Sequence, residues 1–179
     1  MKFSGTNPKT IVVLCRREGT PNHMLQKWSY DGTLLWASMN ALTKLGHRYA
    51  FLDIDIDDQE FIYFTSRSPN SPGLEGHAVL YKLSPDGSSL SWVKHAASDF
   101  YGGLTGVFGN FVYFGGIIDT GTNKFATLLK LNREDGALVY FKEYKNDQNQ
   151  DKIEVKGGNY GLVDSDGNVV LQTLFFRSG

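Results

Sequence analysis

The stretch Phe61-Ile62-Tyr63-Phe64 recurs in related form along this chain. Ile11-Val12-Val13-Leu14 begins 50 residues before it, and Phe111-Val112-Tyr113-Phe114 begins 50 residues after it. A fourth copy, Val169-Val170-Leu171, follows after a further 58 residues. Self-similarity with a period of roughly 20 to 50 residues is typical of solenoids, propellers and repeat arrays. The chain is therefore predicted to consist of repeated structural units.

A second signature follows each of the first three copies and combines a lysine, an Asp-Gly pair and a large aromatic residue. The three sets are Lys27, Asp31-Gly32 and Trp36; Lys82, Asp86-Gly87 and Trp92; and Lys130, Asp135-Gly136 and Phe141. Asp-Gly between two apolar runs predicts a tight hairpin, because glycine tolerates positive φ and aspartate hydrogen-bonds within its own turn. The lysines are expected to form turn or cross-strand ion pairs at the surface. The aromatic residues are expected to pack between units, with a stacking platform for a quinone or sugar as the alternative.

The repeated segments are short, rich in aromatic and β-branched residues, and bounded by Gly, Asn, Asp and Pro, which predicts strands. The unit at 10–40 is expected to have three strands, and the units at 49–97 and 101–144 four each. A partial unit at 159–176 is expected to have two. Residues 39–45 are the best helical candidate, and the polar run 145–152 is predicted to be an exposed loop.

Four-stranded antiparallel units of about 50 residues are typical of β-propeller blades. We therefore predict one all-β domain over residues 1–179, β-propeller-like, with about three blades plus incomplete terminal strands. The run from Tyr81-Lys82-Leu83 through Asp86-Gly87 to Trp92 resembles blades of the quinoprotein-like (PQQ-repeat) and related bacterial β-propeller repeats. This resemblance covers most of residues 10–179. The chain departs from WD repeats, and Asp31-Gly32 lacks the intervening residue of a sialidase Asp-box.

About three blades form an open arc, because closed propellers typically carry four to eight. An arc exposes two apolar blade faces and unpaired strand edges. We therefore expect the chain to associate with copies of itself, two copies supplying about six blades, or to complete its ring with another protein. The first unit is expected to lack its innermost strand, which suggests strand exchange between chain ends. A truncated longer protein is the alternative.

Composition limits the classes of partner. With 18 basic and 19 acidic residues, the formal charge of −1 gives no electrostatic footprint for nucleic acid. No apolar stretch approaches the roughly 20 residues of a membrane span, and no signal peptide is recognisable, so we expect a cytoplasmic or virion protein. Cys15 is the single cysteine, which excludes an intrachain disulfide, and it is expected to be a buried small hydrophobe.

Asp53, Asp55 and Asp57 alternate with apolar residues, so a strand would place all three carboxylates on one face. One interpretation is a cation site in a propeller's central channel, and the other is a solvated strand face. A calcium loop does not match, because Asp58 and Phe64 stand where glycine and glutamate are required. The histidines, His23, His47, His77 and His95, have no spacing typical of metal ligands.

Three loops are predicted to join the second and third strands of their units, at 17–22, 66–76 and 119–123. Equivalent loops would cluster on one rim, where propellers bind partners. The interface candidates in these loops are Arg67, Asn70, Leu74, Glu75, Asp119 and Asn123.

None of the common nucleophile, phosphate-loop, zinc or dinucleotide motifs is present in the sequence. We therefore expect a non-catalytic β-propeller structural or protein-interaction module, without a cofactor, acting in an oligomer or larger assembly such as a phage or virus particle. The PQQ-repeat resemblance implies an alternative, a PQQ-dependent dehydrogenase-like fragment. Carbohydrate binding through rim loops and aromatic residues is a further alternative.

Overall fold

The computed structural model describes residues 2–3, 10–16, 23–38, 51–67, 78–95, 100–119, 124–144, 151–154, 161–171 and 174–177. These residues contain strands and turns and no helix, so the expected all-β class is confirmed. The search of the described residues finds no helix that is long and apolar enough to cross a membrane.

Three antiparallel sheets of four strands each form the main body, and in each the strand order follows the chain. Sheet 1 contains β1 (Lys2–Phe3), β2 (Thr10–Arg16), β3 (His23–Ser29) and β4 (Leu34–Ser38). Sheet 2 contains β5 (Phe51–Ile56), β6 (Ile62–Arg67), β7 (Ala78–Leu83) and β8 (Leu90–His95). Sheet 3 contains β9 (Phe100–Phe108), β10 (Phe111–Asp119), β11 (Lys124–Asn132) and β12 (Leu138–Tyr144).

Two shorter ladders follow sheet 3. Strand β13 (Asp151–Glu154) pairs with β16 (Leu174–Arg177), and β14 (Gly161–Val163) pairs with β15 (Val169–Leu171). A methyl group placed on Gly106 of β9 would lie 3.1 Å from the Val163 side chain, so β14 packs directly on the first strand of sheet 3.

Sheet 2 lies between the other two, and its strands bury both faces. Phe64 and Tyr81 belong to the apolar cluster shared with Val12 of sheet 1, whereas Tyr63 and Leu80 belong to the cluster shared with sheet 3. Successive side chains of a strand point to opposite faces, so β6 and β7 contribute alternate side chains to the two clusters. Every residue of β7 is buried.

The same irregularity occurs in the outer strand of all three sheets. The pairing of the third and fourth strands shifts by one residue directly after Lys27, Lys82 and Lys130. The fourth strand holds one extra residue at each of these points, which is a β-bulge. The extra residues are Leu35, Ser91 and Val139. The repeat in the sequence is therefore also a repeat in backbone geometry.

The sequence predicts strands at 49–56, 61–67, 78–84 and 90–95 in the second unit and at 101–107, 110–116, 126–132 and 137–143 in the third. These coincide with β5 to β12 apart from shifts of their ends. The expectation that the first unit lacks its innermost strand is wrong, because Lys2–Phe3 pairs with Val12 and Ile11 of β2. The polar run 145–152 is not wholly a loop, because β13 begins at Asp151. The helical candidate 39–45 lies outside the described residues.

We expect Gly136→Ala to destabilise the protein more than Gly32→Ala. Both glycines have positive φ, at 69° and 87°, so each alanine brings backbone strain of about 1 kcal/mol. A methyl group on Gly32 meets nothing within 4 Å, but one on Gly136 would lie 2.6 Å from Lys94 Cε and 3.0 Å from the Trp92 ring. Urea unfolding of both variants measures the difference. Equal losses would show that the Trp92 ring is free to move away.

Candidate functional site

Asp53 and Asp55 of β5, and Asp57 directly after it, act as hydrogen-bond acceptors for backbone N–H groups. The carboxylate of Asp55 accepts a hydrogen bond from the Val107 N–H at 2.9 Å and thereby joins sheet 2 to sheet 3. Asp53 and Asp57 are buried, with 8% and 4% exposure, so the alternative of a solvated strand face does not describe them. Among the described residues no group of three or more His, Cys, Asp or Glu side chains could hold a metal ion.

Asp57 organises the turn between β5 and β6. Its carboxylate accepts hydrogen bonds from the Gln59 and Phe61 N–H groups at 3.0 and 2.9 Å and from the Tyr63 hydroxyl at 2.9 Å. Burial, and then the charge of Asp57, raise the pKa of Tyr63 far above its usual value, so the hydroxyl remains a donor. Asp57 therefore stabilises the β5–β6 turn by accepting three hydrogen bonds.

Arg133, in the turn between β11 and β12, extends this network across the sheet boundary. Its Nη1 donates to Asp58 Oδ1 at 2.6 Å and lies 3.7 Å from Asp57 Oδ2. These groups line an open cleft of about 470 Å³ between the turns of sheets 2 and 3 and the turn that follows β14. Asn110, Asp164 and Ser165 also line this cleft.

A lysine and a tryptophan of sheet 1 hold the outer turn of sheet 2. Lys27 and Trp36 are register partners, and their Nζ and Nε1 atoms both donate to the Pro85 carbonyl oxygen, at 2.9 and 3.0 Å. The Trp36 ring covers Gly87, where a methyl group would lie 3.0 Å from ring atoms. Lys27 also forms an ion pair with Glu60 at 2.9 Å.

Sheet 2 holds the outer turn of sheet 3 in the same way. Lys82 and Trp92 are register partners and donate to the Arg133 carbonyl oxygen at 2.9 and 3.2 Å. The Trp92 ring covers Gly136. We call this arrangement the lysine–aromatic clamp: a third-strand lysine, its aromatic register partner, and the turn carbonyl and glycine of the next sheet.

Lys27 is 3% and Lys82 6% exposed, so the expected location at the surface is wrong for both, although the expected ion pair is present between Lys27 and Glu60. The Lys82 ammonium also lies 4.2 Å from the centre of the Phe61 ring. Burial lowers the pKa of Lys82, while the charge of Asp57 acts in the opposite direction. A buried ammonium needs acceptors, and the turn carbonyl provides one.

The third clamp, on sheet 3, has its lysine and aromatic residue but holds no turn among the described residues. Lys130 is the register partner of Tyr140, so Tyr140, and not Phe141, stands where Trp36 and Trp92 stand. The Lys130 ammonium is surrounded by the rings of Phe111, Tyr113 and Tyr140, at 3.7, 5.4 and 5.7 Å from their centres. Its contacts within the described part of the chain include no hydrogen-bond acceptor.

Exposure separates the open clamp from the two occupied ones. Trp92 is 8% exposed, whereas Tyr140 is 38% exposed. Three other apolar residues of β12 are also exposed, namely Leu138 at 60%, Val139 at 49% and Phe141 at 42%. Exposed apolar side chains on this outer strand mark a region suited to contact with another protein segment.

The interface candidates predicted on the rim loops are placed only in part. Arg67 ends β6 and Asp119 ends β10, which puts both at the same end of their sheets. Asn70, Leu74, Glu75 and Asn123 lie outside the described residues. Cys15 is half-buried in β2, so the expectation of a buried cysteine holds only partly.

The sequence indicated the clamp residues by their repetition, but the partner group was missed. Proline and arginine differ in side chain at positions 85 and 133, and only their backbone carbonyl is shared. Because the repeated acceptor is a backbone carbonyl, the residue type at this position need not repeat, and the sequence does not reveal it. The Asp-Gly pair, which begins one residue after Pro85 and two residues after Arg133, is the sequence feature that indicates where this carbonyl lies.

Comparison with protein-family models, with curated proteins and with solved structures found no match to this chain.

Proposed function

We propose that this protein is a non-catalytic β-propeller-type module that works by associating with protein, in the first place with copies of itself. The observation that carries this proposal is the open lysine–aromatic clamp of sheet 3. The chain fills two such clamps with its own turns, whereas Lys130 of the third has no turn carbonyl as acceptor among the described residues.

The propeller arrangement is supported by three features. Each sheet has four antiparallel strands in chain order, which is the strand order of a propeller blade. The sheets stack face to face through apolar clusters. The first strands of sheets 2 and 3 are joined by the hydrogen bond from Val107 to Asp55, as neighbouring innermost strands would be. The resemblance to quinoprotein-like repeats points the same way.

The opposite end of the stack also presents apolar surface. On sheet 1, Tyr30 is 70% exposed, Leu34 45% and Leu35 49%. Gly32 of its outer turn is exposed, whereas Gly87 and Gly136 are buried beneath tryptophan rings. The outer strand of sheet 3 and the outer turn and strand of sheet 1 thus both expose apolar side chains that a partner could cover.

Light scattering after gel filtration tests the association. We expect the wild-type mass to exceed the 20.0 kDa of one chain and to rise with concentration, as mass action requires. Tyr140→Asp should return it to a single chain, because a carboxylate would be placed in an apolar contact. Ser91→Asp, which adds the same charge at the exposed bulge of sheet 2, is the matched control and should leave the mass unchanged. A wild-type protein that remains a single chain at every concentration contradicts self-association.

A further inference from the structure

The clamp lysines align the three sheets residue by residue, because each is the register partner of a second-strand residue at the same place in its sheet. The second-strand residues on either side of that partner point toward the preceding sheet. They are Ile62 and Phe64 in sheet 2 and Val112 and Phe114 in sheet 3, and all four are 0% exposed. The preceding sheet therefore covers this face of both sheets.

Sheet 1 leaves the corresponding face partly exposed. Ile11 and Val13 hold the same two positions and are only half-buried. Val12 and Leu25 pack toward sheet 2, so the alternate residues of β2 and β3 lie on the opposite face, which we call the outer face of sheet 1. Its half-buried side chains are those of Ile11, Val13, Cys15, Met24, Gln26 and Trp28. None of these side chains carries a charge at neutral pH, so a partner that covers the outer face buries no unpaired ion.

The amide on the outer face is satisfied by its own neighbours. Gln26 Oε1 accepts hydrogen bonds from Trp28 Nε1 at 3.3 Å and from Cys15 Sγ at 3.5 Å. Gln26 Nε2 donates to Met24 Sδ at 4.0 Å. A polar group that is already bonded within its own surface costs less to bury than one without a partner. Apolar side chains of another sheet can therefore cover the outer face, as sheets 1 and 2 cover the equivalent faces within the chain.

The outer turn of sheet 1 repeats the turns that the clamps hold. Gly32 donates its N–H to the Ser29 carbonyl oxygen at 3.1 Å, and the two clamped turns contain the equivalent bond from their own glycine. The next carbonyl belongs to Tyr30 and stands where those of Pro85 and Arg133 stand. Tyr30 is 70% exposed, and a methyl group on Gly32 would meet nothing within 4 Å. The turn therefore has the form that a clamp holds, without the ring that covers its two counterparts.

A second copy of this chain does not match the outer face and turn of sheet 1. The clamps of its sheets 1 and 2 hold its own turns. The far face of its sheet 3 is covered, because β13 packs against β11 and both Ala126 and Leu128 are 4% exposed. The sheet that fits must therefore come from a different protein.

We propose that the outer face and the outer turn of sheet 1 dock on a different protein that presents a β-sheet with a lysine–aromatic clamp. The lysine of that sheet donates to the Tyr30 carbonyl oxygen, and its aromatic ring covers Gly32. Apolar side chains of the same sheet cover the outer face. The two filled clamps of the chain supply the geometry of these contacts, and the apolar clusters between its sheets supply the packing.

An extended chain supplies such a sheet as a probe. Residues 1–97, which contain sheets 1 and 2, are joined in front of the full chain by a flexible Gly/Ser linker of about 15 residues. The clamp of the added sheet 2 then has no sheet 3 of its own to hold. Cys15 is the single cysteine of the chain, so Cys15→Ser in the added unit leaves one thiol, on the outer face to be covered. We expect its alkylation by a maleimide to be about tenfold or more slower than in the unextended chain, because docking removes the thiol from water.

Variants of the extended chain test the individual contacts. Lys82→Met in the added unit should restore most of the alkylation rate, because the charged donor is lost, and Lys82→Arg should retain more protection. Gly32→Val in the original sheet 1 should also restore the rate, because its side chain meets the incoming ring. Ser91→Asp in the added unit changes an exposed bulge residue and is the matched control, with protection unchanged. Equal alkylation rates in the extended and unextended chains overturn the proposal, and so does protection that survives both Lys82→Met and Gly32→Val.

The docking face rests on the proposed role in protein association, but the two fail separately. Protection of Cys15 in the extended chain, when light scattering shows the wild type to be a single chain, supports the docking face and rejects self-association. Self-association of the wild type without protection in the extended chain supports the module and rejects the docking face. Alkylation of the unextended chain that slows as its concentration rises assigns the face to a second copy and overturns the assignment to a different protein.

Discussion

Replacing Asp57 by alanine should lower the free energy of unfolding by about 3–5 kcal/mol, as loss of one partner from a buried charged network does. Asp57 is 4% exposed, and its carboxylate accepts hydrogen bonds from two N–H groups and from the hydroxyl of Tyr63. Alanine leaves these donors without their acceptor and leaves Arg133 with a weaker charge partner. Urea unfolding followed by tryptophan fluorescence and circular dichroism gives the loss.

Asp58→Ala is the matched control for this variant. Its side chain is 72% exposed and forms an ion pair with Arg133 at 2.6 Å, and exposed pairs contribute about 1 kcal/mol or less. Asp57→Asn should fall between the two, because the amide keeps one oxygen acceptor and loses the charge. Equal losses for Asp57→Ala and Asp58→Ala would show that the buried network does not stabilise the turn.

Trp92→Ala should cost about 3–5 kcal/mol of stability, the range for truncating a large buried aromatic side chain. Trp92 is 8% exposed, its ring lies 6.0 Å from that of Tyr63, and its Nε1 donates to the Arg133 carbonyl oxygen. Trp92→Phe should lose less, because the phenyl ring keeps most of the packing and only the hydrogen bond is lost. Denaturant unfolding measures both.

Tyr140→Ala removes the equivalent residue of the open clamp and should cost about 1 kcal/mol or less in the protein alone, because 38% of Tyr140 is exposed. Denaturant unfolding measures this loss beside that of Trp92→Ala. A Tyr140→Ala cost as large as that of Trp92→Ala would mean that the clamp of sheet 3 is already filled.

The sequence predicted the strands of sheets 2 and 3 well because aromatic and β-branched runs alternate there with Asp-Gly turns. It missed Lys2–Phe3 because a strand of two residues has no periodicity to detect. It also missed β13, since the Asp151–Glu154 strand begins inside a polar run that local composition assigns to a loop. Pairing with β16, a distant segment, determines that strand, and a local pattern cannot reveal it.

The candidate site was harder to predict than the fold. Alternation predicted all three aspartates on one strand, but β5 holds only Asp53 and Asp55, and Asp57 follows it. The partner that the sequence could not show is the Val107 N–H, which reaches Asp55 from the neighbouring sheet. The third clamp was recognised by comparing three copies of one arrangement, of which two hold a turn and the third holds none among the described residues. The sequence presents Lys130 as a third copy without showing that, among the described residues, it contacts aromatic rings and lacks the turn carbonyl that Lys82 binds.

The consecutive strand order also governs how the chain folds during synthesis. Each ladder of sheets 1 to 3 joins strands that are neighbours in the sequence, so hairpin closure spans short loops. A sheet can form as soon as its fourth strand has left the ribosome, without waiting for distant sequence. The clamp of the preceding sheet is then already formed when the outer turn of the next sheet appears. Assembly from the N-terminus onward is thus built into the order of the strands.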